Sequence, residues 1–263
     1  MNVFNNLFER HFQNTLLAHG WPADLELDYS LRYCQGDGCA FYGKLGETEI
    51  LTLLRALQKD NRITAKIAGK ISDIVRNSGT KLLLERKGIG YRYSHANTIQ
   101  ASFENYPDDL ACEELLLEGL ECIRDSIELL CSVLENDGYK IHERISPNYE
   151  GDIVMSRSTA NFEIVVTESE VEFWDTSDTW DNEYKDECIA GLLNGKYVLK
   201  NLEIIVRGKS TGAVYGKHYE ELVHIDESSP VRRWFEREWL SSAVEAARLS
   251  IEEKRHEFIN IRS

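Results

Sequence analysis

The sequence predicts an α+β fold of two similar units, each an antiparallel sheet packed by helices and closed by one long C-terminal helix. Three observations predict it. The order strand pair, helix, strand pair, long helix recurs about 120 residues along the chain. Tyr29, Leu31 and Tyr33 alternate with Ser30 and Arg32, the two-residue period of a half-buried strand. Two long stretches carry apolar residues at helical spacing, as helices lying on a sheet do. The expected division is 1–146 for the first unit, 161–263 for the second, and a linker over 147–160, where Pro147, Asn148 and Gly151 cluster. Residue identity between the halves is low, so the likeness is one of layout.

The chain opens on an amphipathic helix over 2–18. Phe4, Phe8 and Phe12 recur every four residues, Leu7, Leu16 and Leu17 widen the stripe, and His11 lies at its flank with an ordinary hydrogen bond expected of it. Gly20-Trp21-Pro22 ends it. Strands follow over 24–34 and 39–45, then helices over 47–58 (Ile50, Leu51, Leu54 and Leu57 inward) and 63–76 (Ile63, Ile67, Ile71 and Ile74 inward). Arg62, Lys66 and Lys70 form a basic row beside that last stripe, expected to answer acids elsewhere in the protein or in a second subunit. Strands are expected over Leu82–Arg86, Gly90–Ser94 and Thr98–Tyr106. Pro107-Asp108-Asp109 starts the first long helix, with Leu116, Leu120, Ile123, Ile127, Leu130 and Leu134 inward and Asp137-Gly138 as its stop.

In the second half, Phe162–Thr167 and Glu170–Trp174 read as a strand pair, Tyr184–Leu193 as a helix, and Leu199–Arg207 with Ala213–Ile225 as a hairpin around Lys209-Ser210-Thr211-Gly212. Ser229-Pro230 starts the last helix, with Val231, Phe235, Trp239, Val244, Ala247 and Ile251 inward.

The turn between the first two strands is Gln35-Gly36-Asp37-Gly38. Its glycines permit positive φ, and Asp37 can hydrogen-bond the local backbone. The run Tyr29-Ser30, Tyr33-Cys34-Gln35-Gly36-Asp37-Gly38, Phe41 resembles the core of a family of small phage and prophage proteins, some labelled antitoxin-like. The resemblance covers about residues 22–145. It implies a mobile-element protein at work in a bacterial cytoplasm, and it carries no catalytic residue over to this chain.

Composition bounds the chemistry. No apolar run approaches a membrane span, and the N-terminus, with Glu9 and Arg10 inside its apolar pattern, lacks the basic start and small-residue cleavage site of a signal peptide. The six cysteines include no CxxC pair, and three sit on the first long helix, which reads as free thiols in a reducing compartment rather than disulfides or structural zinc. Lys87-Gly88-Ile89-Gly90 lacks the spacing of a phosphate loop. His218 and His224, six apart on one expected strand, are expected on the same face, yet without an HxH or HExxH pattern they define no metal site. No GxSxG elbow is present. The reading is therefore a non-enzyme with no cofactor and no metal; a hydrolase with an unrecognised site is the alternative that a screen of nucleotides and esters addresses.

The formal net charge is −15. Such a chain is repelled by bare nucleic acid and anionic membranes and attracted to the basic grooves in which proteins hold nucleic acid. The acids concentrate in two runs: residues 104–137 hold eleven acids and one base, Arg124, and residues 168–187 hold nine acids and one base, Lys185. The first reads as a solvated helix face. The second interleaves its acids with aromatic side chains, and its expected partner-binding residues are Glu170, Glu172, Trp174, Asp175, Asp178, Trp180, Asp181 and Glu183. Charges at every second or third residue of an extended chain lie roughly 5 to 10 Å apart, and aromatics among them supply anchors. The expected function is a phage-encoded anti-defence inhibitor, anti-CRISPR-like, that binds a basic, nucleic-acid-handling host protein, with no direct nucleic-acid contact. The alternative is an antitoxin-like or regulatory binding protein using the Arg62, Lys66 and Lys70 row. Internal symmetry also suits a homo-oligomer or a virion component.

Overall fold

The computed structural model describes residues 3–88, 93–145, 151–169 and 179–261. The chain is α+β, with two antiparallel four-stranded sheets and a long helix after each. It divides into two compact units, Asn5–Lys140 with Asp181–Asp186, and Met1–Phe4 with Ile141–Trp180 and Glu187–Ser263.

In the first unit, α1 (Val3–Ala18) precedes the hairpin β1 (Glu26–Ser30) and β2 (Gly38–Leu45). Helices α2 (Glu47–Lys59) and α3 (Ala65–Ser78) follow, then β3 (Lys81–Arg86), β4 (Ile99–Glu104) and α4 (Leu110–Ile145). The sheet is a meander in the order β1-β2-β3-β4. Its core joins Phe8, Phe12 and Leu16 of α1 to Phe41 of β2, Leu82 and Leu84 of β3, and Ile123, Ile127 and Leu130 of α4, all buried. Trp21 is buried edge-on to Phe41, with ring centroids 5.3 Å apart, and its indole N–H donates to Ser126 Oγ at 3.3 Å. On α3 the buried positions are Ala68, Ile71 and Val75, so the apolar face lies one step round from the expected isoleucine row, with Ile67 and Ile74 half-buried. Thr64 caps α3 by accepting from the Ile67 amide at 3.3 Å.

Several boundaries differ from expectation. The first strand, expected over 24–34, ends at Ser30. The expected strand over Gly90–Ser94 falls largely outside the described residues, and Tyr93 and Ser94 are not in a strand. Helix α4 does not stop at Asp137-Gly138. Gly138 stays helical because its missing side chain admits neighbours: a Cβ there would strike Leu31 and lie 2.8 Å from Phe8. A glycine that reads as a helix stop is a packing glycine, and Ile141 and Ile145 continue the buried stripe beyond it. In place of a linker over 147–160, residues Ile153–Ser158 form β5; 146–150 lie outside the described residues.

In the second unit, β5 pairs with β6 (Phe162–Ser169), and β7 (Val198–Gly208) and β8 (Val214–Ile225) complete a meander in the order β5-β6-β7-β8. The strand expected at Glu170–Trp174 lies outside the described residues, and β6 pairs with β5 and β7. Helix α5 (Asn182–Leu193), whose residues up to Asp186 belong to the first unit, buries Cys188, Ile189 and Leu192. Helix α6 (Arg237–Ile261) begins after a short 3-10 turn at Val231–Arg233. It meets the sheet through Ala243 and Ala247, because Gly216 of β8 lets the helix backbone approach: a Cβ on Gly216 would sit 2.5 Å from the Ala247 amide nitrogen. Ile251, expected inward, is 36% exposed because that close seam ends at Ala247.

Candidate functional site

The QGDG turn is built around a carboxylate. Asp37 is buried. One oxygen accepts from Ser30 Oγ at 2.8 Å; the other accepts from the Arg32 amide at 2.7 Å, the Cys34 amide at 3.0 Å and the Tyr139 hydroxyl at 2.7 Å. Burial works to raise this carboxyl, but the hydrogen bonds from Tyr139, Ser30 and Cys34 outweigh it and hold the group well below the usual carboxylate range. Gly36 takes φ +99° and Tyr33 takes φ +56°, and the exposed Tyr33 ring lies 4.6 Å from that of Tyr139. Gln35 is exposed, and Gly38 is buried at the start of β2. These residues fix the hairpin to the long helix. They present a carboxylate already saturated with donors, which suits structure rather than proton transfer.

Of the expected partner-binding residues, Glu170, Glu172, Trp174, Asp175 and Asp178 lie outside the described residues. Asp181 is exposed and caps α5, accepting from the Tyr184 amide at 2.8 Å. Glu183 is exposed in the first turn of that helix, where its charge opposes the helix dipole favourably, and Trp180 is half-buried. Two more acids of the run are matched inside the protein. Asp186 takes a bidentate pair from Arg10, at 2.6 and 2.8 Å, and the Arg10 hydrogen bond leads in lowering its carboxyl. Glu168 pairs with the buried Lys200 at 3.0 Å.

The other acidic run presents itself differently. On α4, Glu113, Glu114, Glu118, Glu121, Asp125 and Glu128 are all exposed. Their spacing puts them on one face, opposite the buried Leu116, Leu120, Ile123 and Ile127. Among the described residues, no salt bridge engages any of the six. At 1.5 Å rise per residue they supply one carboxylate per roughly 4.5 Å of helix axis, against one phosphate per about 3.4 Å along a nucleic-acid strand. Leu110, 70% exposed, and Leu117, 53% exposed, lie among them. The periodicity that marks the buried face of this helix also marks the acidic one. What the sequence withholds is which acids are neutralised by distant partners, and Arg10 with Asp186 is such a pair.

The basic row is also on the surface. Arg62, Lys66 and Lys70 are exposed, and no salt bridge engages them among the described residues. The two histidines expected on one face of β8 lie on opposite faces. His218 stands across from Ile204 and His224 across from Leu199, positions of opposite parity on β7. The cause is a bulge at Leu222, φ +52°, which adds one residue to β8 between them. His218 lies 2.7 Å from Glu220, and His224 stacks on Tyr197 at 4.3 Å. Among the described residues no group of three or more histidine, cysteine or acidic side chains is placed to hold a metal ion. All six cysteines are free thiols, and burial pushes Cys188 up to about 11 and Cys131 up to about 12. No helix of the described residues is long and apolar enough to cross a membrane.

No protein-family model matches the chain, and no solved structure matches it.

Proposed function

We propose that the protein is a binding protein that occupies the cationic, nucleic-acid-holding surface of a host protein through the acidic face of α4. The observation that carries this reading is the set of six exposed carboxylates from Glu113 to Glu128, engaged by no salt bridge among the described residues. Like charges crowded on one helix face cost stability, about 0.2–0.5 kcal/mol for each neighbouring pair, and a cationic partner offsets that cost. The phage-like run around Gln35-Gly36-Asp37-Gly38 supports a mobile-element source and an anti-defence role, with a host immune protein as the target. Glu170, Glu172, Trp174, Asp175, Asp178, Trp180, Asp181 and Glu183 are further partner-binding residues in this proposal.

Affinity capture from bacterial lysate tests it, using the natural protein and a Glu118→Gln, Glu121→Gln, Asp125→Asn variant at low and high salt. The expected result is a basic nucleic-acid-handling protein that is retained by the natural chain at low salt only and lost by the variant. Equal retention by both overturns the reading. A second reading, an antitoxin-like regulatory protein, is favoured by one observation, the exposed Arg62, Lys66 and Lys70 row. A gel shift at low salt that disappears with Lys66→Glu supports it over the first.

A further inference from the structure

Strand β4 is the last strand of its sheet among the described residues, so one of its edges has no neighbour among them. The Lys87 amide donates to the Thr98 carbonyl at 2.7 Å, which fixes the alternation along the antiparallel ladder. Gln100 and Ser102 turn their N–H and C=O groups toward β3, while Ala101 and Phe103 turn theirs away. The Ile99 N–H is taken by the Ala96 carbonyl, but the Ile99 carbonyl faces outward. No hydrogen bond engages the outward groups of Ala101 among the described residues, although the residue as a whole is only 3% exposed. Backbone groups left unpaired at a strand edge are a template for an added strand.

A groove of about 700 Å³ runs along this edge, between β4 and α4. Ile99, Gln100, Ala101 and Ser102 all line it. Alternate residues of a strand face opposite sides, so four in succession place the groove along the backbone edge and not against one face. Leu120 and Ile127 form an apolar floor. Lys87 and Arg124 stand at its walls, both exposed and neither in an ion pair among the described residues, with Glu128 opposing them. Arg124 is the one base among the eleven acids of residues 104–137.

We propose that the free edge of β4 takes up an extended, acidic peptide segment of a partner protein as a fifth strand. Its backbone pairs with Ala101, and a carboxylate side chain meets Lys87 and Arg124. Backbone pairing supplies affinity and the groove selects side chains, the mode by which sheet edges recognise peptides. A small anion would neutralise the two cations but leave the Ala101 groups unpaired. A second copy of the chain would bring two net charges of −15 together at this edge. The proposal concerns a ligand of the opposite charge to the one proposed for the acidic face of α4, and Glu128 belongs to both sites.

The test uses the full chain and a pool of blocked octapeptides with threonine at alternate positions and the other positions randomised. Selected peptides are remade with glutamate exchanged for lysine, and with backbone N-methyl groups along one edge or the other. Binding is read by fluorescence anisotropy and by hydrogen exchange at the Ala101 amide. Selection of a glutamate or aspartate, at least a tenfold loss on its exchange for lysine, and slowed exchange at Ala101 are the expected results. N-methylation along one edge should abolish binding while the other edge tolerates it. Arg124→Glu, or Lys87→Glu if the first variant misfolds, should reverse the preference between glutamate and lysine. The proposal is overturned by a pool that yields no binder, by N-methylation that acts equally along both edges, by acetate or inorganic phosphate competing as well as the peptide, or by a dimer that buries β4.

Discussion

The hydroxyl of Tyr139 donates a 2.7 Å hydrogen bond to the carboxylate of Asp37, 102 positions earlier in the chain. It ties the turn of the first hairpin to the long helix. Asp37→Asn should lower stability by about 2 kcal/mol, and Tyr139→Phe by about 1 kcal/mol, read as urea midpoints. Folding depresses the Asp37 carboxyl. A group so depressed adds stability above its unfolded pKa, near 3.9, and that share is lost as pH falls through the lower folded value. The gap between the natural chain and Asp37→Asn should therefore be full at neutral pH and narrow only below about pH 4. A gap that closes between neutrality and pH 5 contradicts this assignment.

Gly36 sits at φ +99°, and a Cβ there would run into the Tyr93 ring. Gly36→Ala should cost more than about 1 kcal/mol, from strain at positive φ together with displacement of Tyr93. Gly69→Ala is the matched control: a helical glycine with open space around it, where alanine should stabilise by about 0.5–1 kcal/mol. Thermal midpoints of the two variants check both signs.

The helical stripe from Leu116 to Leu134 made the long helix legible from local pattern alone, whereas the alternation of Tyr29, Leu31 and Tyr33 located β1 but overran it: the strand ends at Ser30, and Tyr33 is exposed at positive φ. Gly138 misled because a glycine near a helix end reads the same whether it ends the helix or admits Leu31 and Phe8. The bulge at Leu222 was invisible for a similar reason: one added residue flips the face of His224 without any local signature. The pairing of Asp186 with Arg10 joins positions 176 apart, a separation no local window spans. The β4 edge could be seen only once the sheet order was known.

On α4, replacing Glu114, Glu118, Glu121 and Asp125 by their amides should leave the fold intact and raise stability by about 1 kcal/mol, by relief of like-charge pairs. Loss of partner binding together with that gain separates a binding role from a structural one. A fall in stability would show that these acids serve the fold.

Lys200 is buried on the central strand β7 and pairs with Glu168. Glu168→Gln should destabilise by about 3 kcal/mol, since it takes a hydrogen-bonded opposite charge from beside a buried ammonium, whereas the double change Lys200→Met, Glu168→Leu should cost much less. Chemical denaturation of both variants decides this. A double variant worse than the single one would mean that the pair is net stabilising.

The central claim is that the acidic face of α4 takes the place of nucleic acid on a cationic protein. Competition tests it most directly: the captured partner is titrated with duplex DNA in the presence of the protein at two salt concentrations. Mutually exclusive binding, weakened at least about tenfold between 50 and 200 mM salt and abolished by Glu118→Gln, Glu121→Gln, Asp125→Asn, is the predicted result. Simultaneous binding of duplex and protein, or an affinity that ignores salt, would contradict it.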